Sequence, residues 1–183
     1  MRRNDIPNIL TIIRMLLVIP IVYGLLTQHE ELAFYILVIA AFTDSIDGYI
    51  ARQFHWSSRL GSVLDPLADK ILMVSVFGVL SYLGEVPFWL LSMVVLREIV
   101  LISGTVILHL IIGPYEIHPI KISKLNTFLQ ILLTFLLVFN KSFAVIPTIW
   151  IALLMYVVFV TTLVSMLAYM WTWTGKIFGR KEV

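Results

Sequence analysis

Six long apolar segments dominate this sequence and restrict what the chain can fold into. Lipid offers the backbone no hydrogen-bond partners, so a segment that crosses the hydrocarbon core must satisfy its own amides, as an α-helix does. The sequence is 60% hydrophobic and 13% charged, against roughly 45–50% and 25% in soluble domains. We therefore predict an all-α, polytopic membrane protein with six transmembrane helices and an N-terminal interfacial helix. The predicted spans lie near 15–27, 32–52, 62–83, 87–112, 124–139 and 145–171.

One membrane domain is expected to cover residues 1–183, because six spans of about 20 residues use most of the chain. Residues 1–14 mix arginines with isoleucines, a pattern typical of a helix that lies along the membrane surface. A signal peptide is the alternative, but Arg14 interrupts the apolar run and no small-residue cleavage site follows it. Turns are predicted at 28–31, 84–86 and 140–142. The absence of cysteine excludes disulfides and thiolate metal sites.

Lysine and arginine are distributed unevenly between the predicted loops. Eleven of the 13 lie at the N-terminus, in the connections after the second and fourth spans, and in the tail. The opposite side has Lys141, and Arg97 lies inside a span. Because cytoplasmic loops carry the excess of these residues, both termini and the acidic cluster between spans two and three are predicted to be cytoplasmic.

Four of the five aspartates lie close together in the sequence, at Asp44, Asp47, Asp65 and Asp69. Spacings of three and four residues place the members of each pair on one helix face. Carboxylates in so apolar a chain are costly, so this cluster predicts a functional site. At an effective dielectric near 20, two carboxylates about 4 Å apart repel each other by roughly 4 kcal/mol. Divalent cations bound between the carboxylates would offset this repulsion. Oxygen-only ligands suit Mg²⁺ or Mn²⁺ shared with substrate phosphates, and predict a two-metal phosphoryl-transfer site.

Small and basic residues complete a fixed spacing around these acids, D-x2-D-G-x2-A-R-x8-G-x3-D-x3-D. This pattern resembles the signature of the CDP-alcohol phosphotransferase family, and every signature position is filled. The resemblance covers residues 7–70 clearly and 97–130 loosely. It implies that Asp44, Asp47 and Asp65 bind two divalent ions, and that Asp69 lies at the metals and is the general base. The residues expected at the nucleotide and its pyrophosphate are Gly48, Ala51, Arg52 and Gly61.

The family resemblance also implies substrates and partners. The expected donor is CDP-diacylglycerol, whose lipid-linked phosphorus is attacked by an acceptor hydroxyl while CMP leaves. Membrane lipids and a second copy of the chain, as a homodimer, are the other expected partners, and no nucleic-acid partner is predicted. A cation-coupled transporter is a remote alternative, but it predicts repeated polar breaks, and the sequence has no aspartate after Asp69.

Three regions outside the signature provide candidate contacts to the acceptor or to a lipid phosphate. Near the N-terminus these are Asn8, Thr11 and Arg14, for which a snorkelling start to the first span is the alternative. Arg97 is expected to face the cytoplasmic cavity and bind a substrate phosphate, with Glu98 pointing elsewhere; an internal ion pair is the alternative. At the start of the fifth helix, the candidates are Lys121, Lys124 and Asn126. Ser123 is predicted to cap that helix, and ordinary positive-inside topology is the alternative for the lysines.

The acceptor is predicted from a finer resemblance. The segment Asn8-x-x-Thr11-x-x-Arg14 and the run from Asp65 to Lys70 resemble the branch that holds phosphatidylglycerophosphate synthases and CDP-diacylglycerol-dependent cardiolipin synthases. Users of glycerol 3-phosphate generally show Gly-Lys-x-Lys-Thr, whereas residues 123–127 read Ser-Lys-Leu-Asn-Thr, which looks like the mitochondrial type of cardiolipin synthase. Phosphatidylglycerol is therefore the expected acceptor, and glycerol 3-phosphate is the alternative. The absence of an extended Arg- and Ser-rich presequence favours a bacterial inner membrane.

Overall fold

The computed structural model describes the backbone over residues 5–54, 61–112 and 120–178, and side chains over 11–43, 67–111 and 120–175. Within these ranges the chain is helical, without a strand, which confirms the predicted all-α class. The described helices are α1 (Asp5–Leu26), α2 (Glu30–Phe54), α3 (Gly61–Tyr82), α4 (Phe88–Ile112), α5 (Lys121–Phe143) and α6 (Thr148–Phe178).

Each predicted apolar segment corresponds to one of these helices. The predicted interfacial segment and the first span form one continuous helix, α1. In the described part of the chain, three stretches are long and apolar enough to cross a membrane: Phe88–Ile111, Lys121–Phe143 and Thr148–Gly175. The part of α1 from Thr11–Leu26 is a shorter apolar helical stretch. The chain is thus a membrane protein, while the count of six crossings and the single domain stay predictions.

Helix α5 runs past the turn that was predicted at 140–142 and ends at Phe143. That prediction was wrong because the polar residues there have partners in the folded chain. Lys141 Nζ donates to Glu85 Oε1 at 3.1 Å and lies 3.9 Å from Glu30 Oε1, and Ser142 Oγ donates to the carbonyl of Val138 at 2.9 Å. The chain turns instead at Ala144, which has a φ of 52°, and Pro147 follows as expected just after a helix C-terminus.

The described residues divide into two compact units, one comprising residues up to 86 together with 134–145 and the other comprising 87–133 and 146 onward. In the first unit, α1 packs against both α2 and α3. Gly24 allows α1 and α2 to approach closely, since a Cβ there would lie 3.2 Å from the Cβ of Ala33. An aromatic cluster adds to this core, with Phe34 against Phe135, Phe139 and Phe143 at centroid distances of 5.2–5.5 Å.

In the second unit, α4 packs against α6. Leu90 and Val94 are buried on α4, and Val158 is buried on α6. Gly104 lies directly beneath the indole of Trp173, so that a Cβ at this position would lie 2.1 Å from Trp173 Cζ3. A methyl group at position 104 would therefore displace the Trp173 indole from this position.

Large apolar side chains are exposed on every helix whose side chains are described. Leu16 and Ile19 on α1, Leu110 on α4 and Tyr156 on α6 are examples, each more than half exposed. So much exposed apolar surface would be costly in water and is expected where helices face lipid. The side chains that are buried and polar must instead find partners within the protein.

Candidate active site

Helices α2 and α3 carry the signature positions. Asp44 and Asp47, with the nucleotide-site candidates Gly48, Ala51 and Arg52, lie in α2, and Gly61, Asp65 and Asp69 lie in α3. Both helices pack on α1. Of these residues, the structure describes the side chain of Asp69; those of the others lie outside the described residues. Convergence of the four carboxylates therefore stays a prediction.

Asp69 is joined to α1 by an ion pair. Arg14 Nη1 donates to Asp69 Oδ1 at 2.9 Å; the Arg14 side chain is 1% exposed and that of Asp69 is 52% exposed. A charge-assisted bond of this length is among the stronger hydrogen bonds in proteins. The structure thus brings the predicted general base together with a residue that was predicted to contact substrate phosphate.

Arg14 belongs to the buried face of α1. Thr11, Arg14, Val18, Ile21 and Leu25 are all buried, at the spacing of three and four residues that marks one side of a helix. The guanidinium does not snorkel toward water, contrary to the alternative offered by the sequence, because it has the carboxylate of Asp69 as a partner. Asn8 also lies in α1, and its side chain lies outside the described residues.

Arg97 is 3% exposed in the second unit and links three helices. Its Nη1 donates to Glu98 Oε1, and its Nη2 donates to Ser123 Oγ on α5 at 2.5 Å and to Ser165 Oγ on α6 at 3.4 Å. The expectation that Glu98 points elsewhere was wrong, and the internal ion pair offered as the alternative is present. Whether Arg97 also binds a substrate phosphate stays a prediction.

The start of α5 differs from the predicted cap. The helix begins at Lys121, so Ser123 lies inside its first turn, where its amide bonds to the carbonyl of Ile120 at 3.0 Å. Ser123 is therefore not the N-cap, because an N-cap precedes the first helical residue, and its hydroxyl accepts from Arg97 instead. Lys121 and Lys124 are exposed. Exposure is required of residues that bind an anion, and it is equally expected if the lysines only follow the excess of positive charge in cytoplasmic loops.

Asn126 is 0% exposed and connects α5 to α6. Thr161 Oγ1 and Thr162 Oγ1 each donate to Asn126 Oδ1 at 2.9 Å, and Gln130 Nε2 donates to Thr162 Oγ1 at 3.3 Å. The α6 partners Thr161 and Thr162 were not predicted from the sequence. Their signal is the helical spacing of Thr162 and Ser165, which lie on one face of an otherwise apolar helix.

The chemistry of the acidic residues suits hard divalent cations. Asp69 is half exposed at the end of a buried ion pair, so its carboxylate is accessible as an oxygen ligand. The other three signature acids, Asp44, Asp47 and Asp65, supply the same donor type, which Mg²⁺ and Mn²⁺ prefer over nitrogen or sulfur. The donor set therefore fits the metals that the sequence predicts.

Apolar helices with buried polar side chains, and aspartates at this spacing, are features of membrane-bound phosphoryl-transfer proteins. The model of the CDP-alcohol phosphatidyltransferase family matches residues 4–173. The chain belongs to this family, whose members are transferases of substituted phosphate groups.

Individual relatives carry more specific names. The chain is 36% identical, over 90% of its length and 30% of the relative's, to a "Cardiolipin synthase (CMP-forming) / mitochondrial hydrolase fusion protein" of Schizosaccharomyces pombe. It is 32% identical, over 70% of its length and 48% of the relative's, to a human "Cardiolipin synthase (CMP-forming)". A "CDP-diacylglycerol--glycerol-3-phosphate 3-phosphatidyltransferase" of Blochmanniella floridana is 33% identical over 70% of each chain. The chain thus spans less than half the length of the cardiolipin synthases that it matches.

Proposed function

We propose that the chain transfers a phosphatidyl group from CDP-diacylglycerol to phosphatidylglycerol, giving cardiolipin and CMP. The family match over residues 4–173 supports the reaction class. The names of relatives from fission yeast and human support the acceptor. The observation that carries the proposal is the half-exposed Asp69 held by buried Arg14, because it places an oriented carboxylate in the signature region.

The proposed reaction is a displacement at phosphorus. The acceptor hydroxyl oxygen forms a bond to the lipid-linked phosphorus of CDP-diacylglycerol, the bond from that phosphorus to the CMP oxygen breaks, and the hydroxyl proton passes to Asp69. A positioned carboxylate of this kind contributes typically about 10²–10⁴-fold to a rate. The nucleotide and pyrophosphate would lie against Gly48, Ala51, Arg52 and Gly61, where small side chains let backbone approach a ligand closely.

Two divalent ions, Mg²⁺ or Mn²⁺, would be held by Asp44, Asp47, Asp65 and Asp69. Their chemistry would be to neutralise charge on the pyrophosphate oxygens. The residues of the chain hold and orient the reactants. We infer that Arg14 restricts the Asp69 carboxylate to one orientation, while contact of Asn8, Thr11 or Arg14 with a lipid phosphate remains a further proposal.

Binding of the acceptor or of a lipid phosphate is also proposed for four residues of the second unit. Arg97, Lys121, Lys124 and Asn126 supply donors there, two from buried positions and two from exposed ones. Glycerol 3-phosphate is the second candidate acceptor. It is favoured by the similarity to the Blochmanniella floridana relative, of which the chain covers 70%.

The cellular setting is also a proposal. The uneven distribution of lysine and arginine supports a cytoplasmic position for both termini and for the aspartates, where CMP would leave into the cytosol. We propose a homodimer, following the family resemblance, and a bacterial inner membrane as the location.

The test is CMP release by the purified full chain with labelled CDP-diacylglycerol, Mn²⁺ or Mg²⁺, and one acceptor at a time. Phosphatidylglycerol should support release with formation of cardiolipin, and Asp69→Asn should lower turnover by about 10²–10⁴-fold. Glu31→Gln is the matched control, since it also removes one carboxylate charge, but from an exposed position at the start of α2.

Three results would contradict the proposal. Undiminished turnover by Asp69→Asn would remove that residue as the base. Faster release with glycerol 3-phosphate would support the second acceptor. Movement of divalent ions into liposomes without CMP release would instead support a transporter.

A further inference from the structure

Two positive charges compete for the carboxylate of Asp69 in the first unit. Arg14 Nη1 donates to Asp69 Oδ1 at 2.9 Å, and the Arg14 side chain is 1% exposed. A guanidinium buried among apolar helices requires a negative counter-charge, and Asp69 supplies one. The proposed divalent ions would draw on the charge of the same carboxylate, which is 52% exposed and therefore accessible to an ion.

Arg14 is enclosed by the protein as well as charged. It lies on the buried face of α1 between Thr11 and Val18, which are also buried. Helix α1 packs against α3, and Ala68, which precedes Asp69 on α3, is buried too. A surface arginine can turn its head group toward water, but an enclosed one cannot. The charge of Arg14 therefore stays beside Asp69 when an ion approaches.

Arg14 has two opposite effects on an ion at this carboxylate. By orienting Asp69 it would strengthen ion binding, and ordering one side chain changes an affinity by about two- to tenfold. By its charge it would weaken ion binding. An arginine next to a carboxylate typically weakens the binding of a proton there by about 10–1,000-fold, and a divalent ion, with twice the charge, is repelled at least as strongly. The effect of charge is therefore the larger one.

We propose that Arg14 lowers the affinity of the predicted aspartate ligands for divalent ions until the substrate is bound. The pyrophosphate of CDP-diacylglycerol would bring negative charge that offsets the guanidinium, and phosphate oxygens are ligands that Mg²⁺ commonly shares with carboxylates. Metal and substrate would then bind tightly only together. This inference rests on the proposed function, because the ions and the substrate are those of the same reaction. It assigns control of metal binding to a residue that is not itself a predicted ligand.

The test measures equilibrium binding of Mn²⁺ to the full chain in phosphatidylcholine nanodiscs, from the electron paramagnetic resonance signal of the free ion. Without substrate, Arg14→Gln should lower the Kd for Mn²⁺ about tenfold, at the lower end of the range because water screens the half-exposed Asp69. Arg14→Lys is the matched control, since it keeps the charge, and its Kd should stay within about threefold of the wild-type value. With saturating CDP-diacylglycerol, the wild-type Kd should fall, and Arg14→Gln should differ from it by less than about threefold.

Arg14→Gln is expected to fold, because the carboxylate that loses Arg14 is half exposed to water; elution and thermal unfolding check this. Should the variant fail to fold, Asp69→Asn is compared with the double variant Arg14→Gln/Asp69→Asn. The double variant should bind Mn²⁺ about fivefold more tightly than Asp69→Asn, and equal Kd values would overturn the proposal.

Three results of the main comparison would also overturn it. These are a Kd for Arg14→Gln that is not below the wild-type value, an equal decrease in Arg14→Lys, and a difference between Arg14→Gln and wild type that persists undiminished with substrate. Mn²⁺ binding that follows the charge at position 14 as predicted, in a chain that releases no CMP with either acceptor, would instead refute the transferase and leave the role of Arg14 standing.

Discussion

The ion pair between Arg14 and Asp69 yields a prediction about stability that does not depend on substrate. Removing one partner of a fully buried pair costs about 3–5 kcal/mol, whereas exposed pairs contribute about 0–1 kcal/mol. Arg14 is 1% exposed and Asp69 is 52% exposed, so the pair lies between these limits. We expect a coupling free energy of about 2 kcal/mol between the two side chains.

The assay is a double-mutant cycle on the purified chain, using Arg14→Gln, Asp69→Asn and the double variant. The free energy of unfolding is measured by titration from mild detergent into a denaturing detergent, without metal or substrate. Asp69→Asn conserves volume, and the cavity that Arg14→Gln leaves is present with either residue at position 69, so it cancels from the coupling. The double variant should be less destabilised than the sum of the two single variants.

Replacement of Arg14 should also affect the catalytic reaction. Arg14→Gln should lower kcat about tenfold through loss of orientation of the base, with Arg14→Lys recovering part of the loss, and any accompanying rise in the KM for CDP-diacylglycerol would report the proposed contact with a lipid phosphate. A coupling within about 0.5 kcal/mol of zero would refute the pair as a stabilising contact. A rise in KM without a fall in kcat would refute the positioning role.

Three further outcomes are expected. Gly104→Ala should lower the free energy of unfolding by about 1–3 kcal/mol, because its Cβ would meet Trp173. Gly78→Ala is the control, since a Cβ there meets open space, and it should be neutral or stabilising in the same unfolding assay. Equal effects of the two substitutions would contradict the packing of Trp173 on Gly104. Lys141→Met should lower the free energy of unfolding by about 0.5–1 kcal/mol through loss of the bond to Glu85. A variant as stable as the wild type in low salt would show that this pair contributes nothing. Chelation of divalent ions with EDTA should abolish CMP release, and added Mn²⁺ should restore it. CMP release without metal would contradict the prediction that the aspartates bind catalytic metal ions.

The apolar segments predicted the helices well because lipid leaves the backbone few alternatives. The end of α5 was misplaced because Asn140, Lys141 and Ser142 have the composition of a turn. In the folded helix, Lys141 bonds to Glu85, which is 56 residues away along the chain. Tertiary partners of this kind leave no local signal in the sequence.

The candidate site was predictable to different degrees in its two parts. The aspartates, with Arg14 and Arg97, were identified because ionised groups are rare in apolar helices. Their partners were not, since the bond between Arg14 and Asp69 joins residues 55 apart and that between Arg97 and Ser165 joins residues 68 apart. Sequence spacing indicates which residues share a helix face, but not which residue of another helix that face meets.

The adjacency of Arg97 and Glu98 has a consequence for how the protein enters the membrane. The two residues bond to each other within α4, and we predict that this bond can form, and offset the two charges, before α5 and α6 have been synthesised. Insertion of an isolated arginine at mid-helix costs about 2.5–3.5 kcal/mol. Replacing Glu98 with Gln should therefore impair co-translational integration of α4, a defect that would be visible as a lower yield of membrane-inserted chain in the cell.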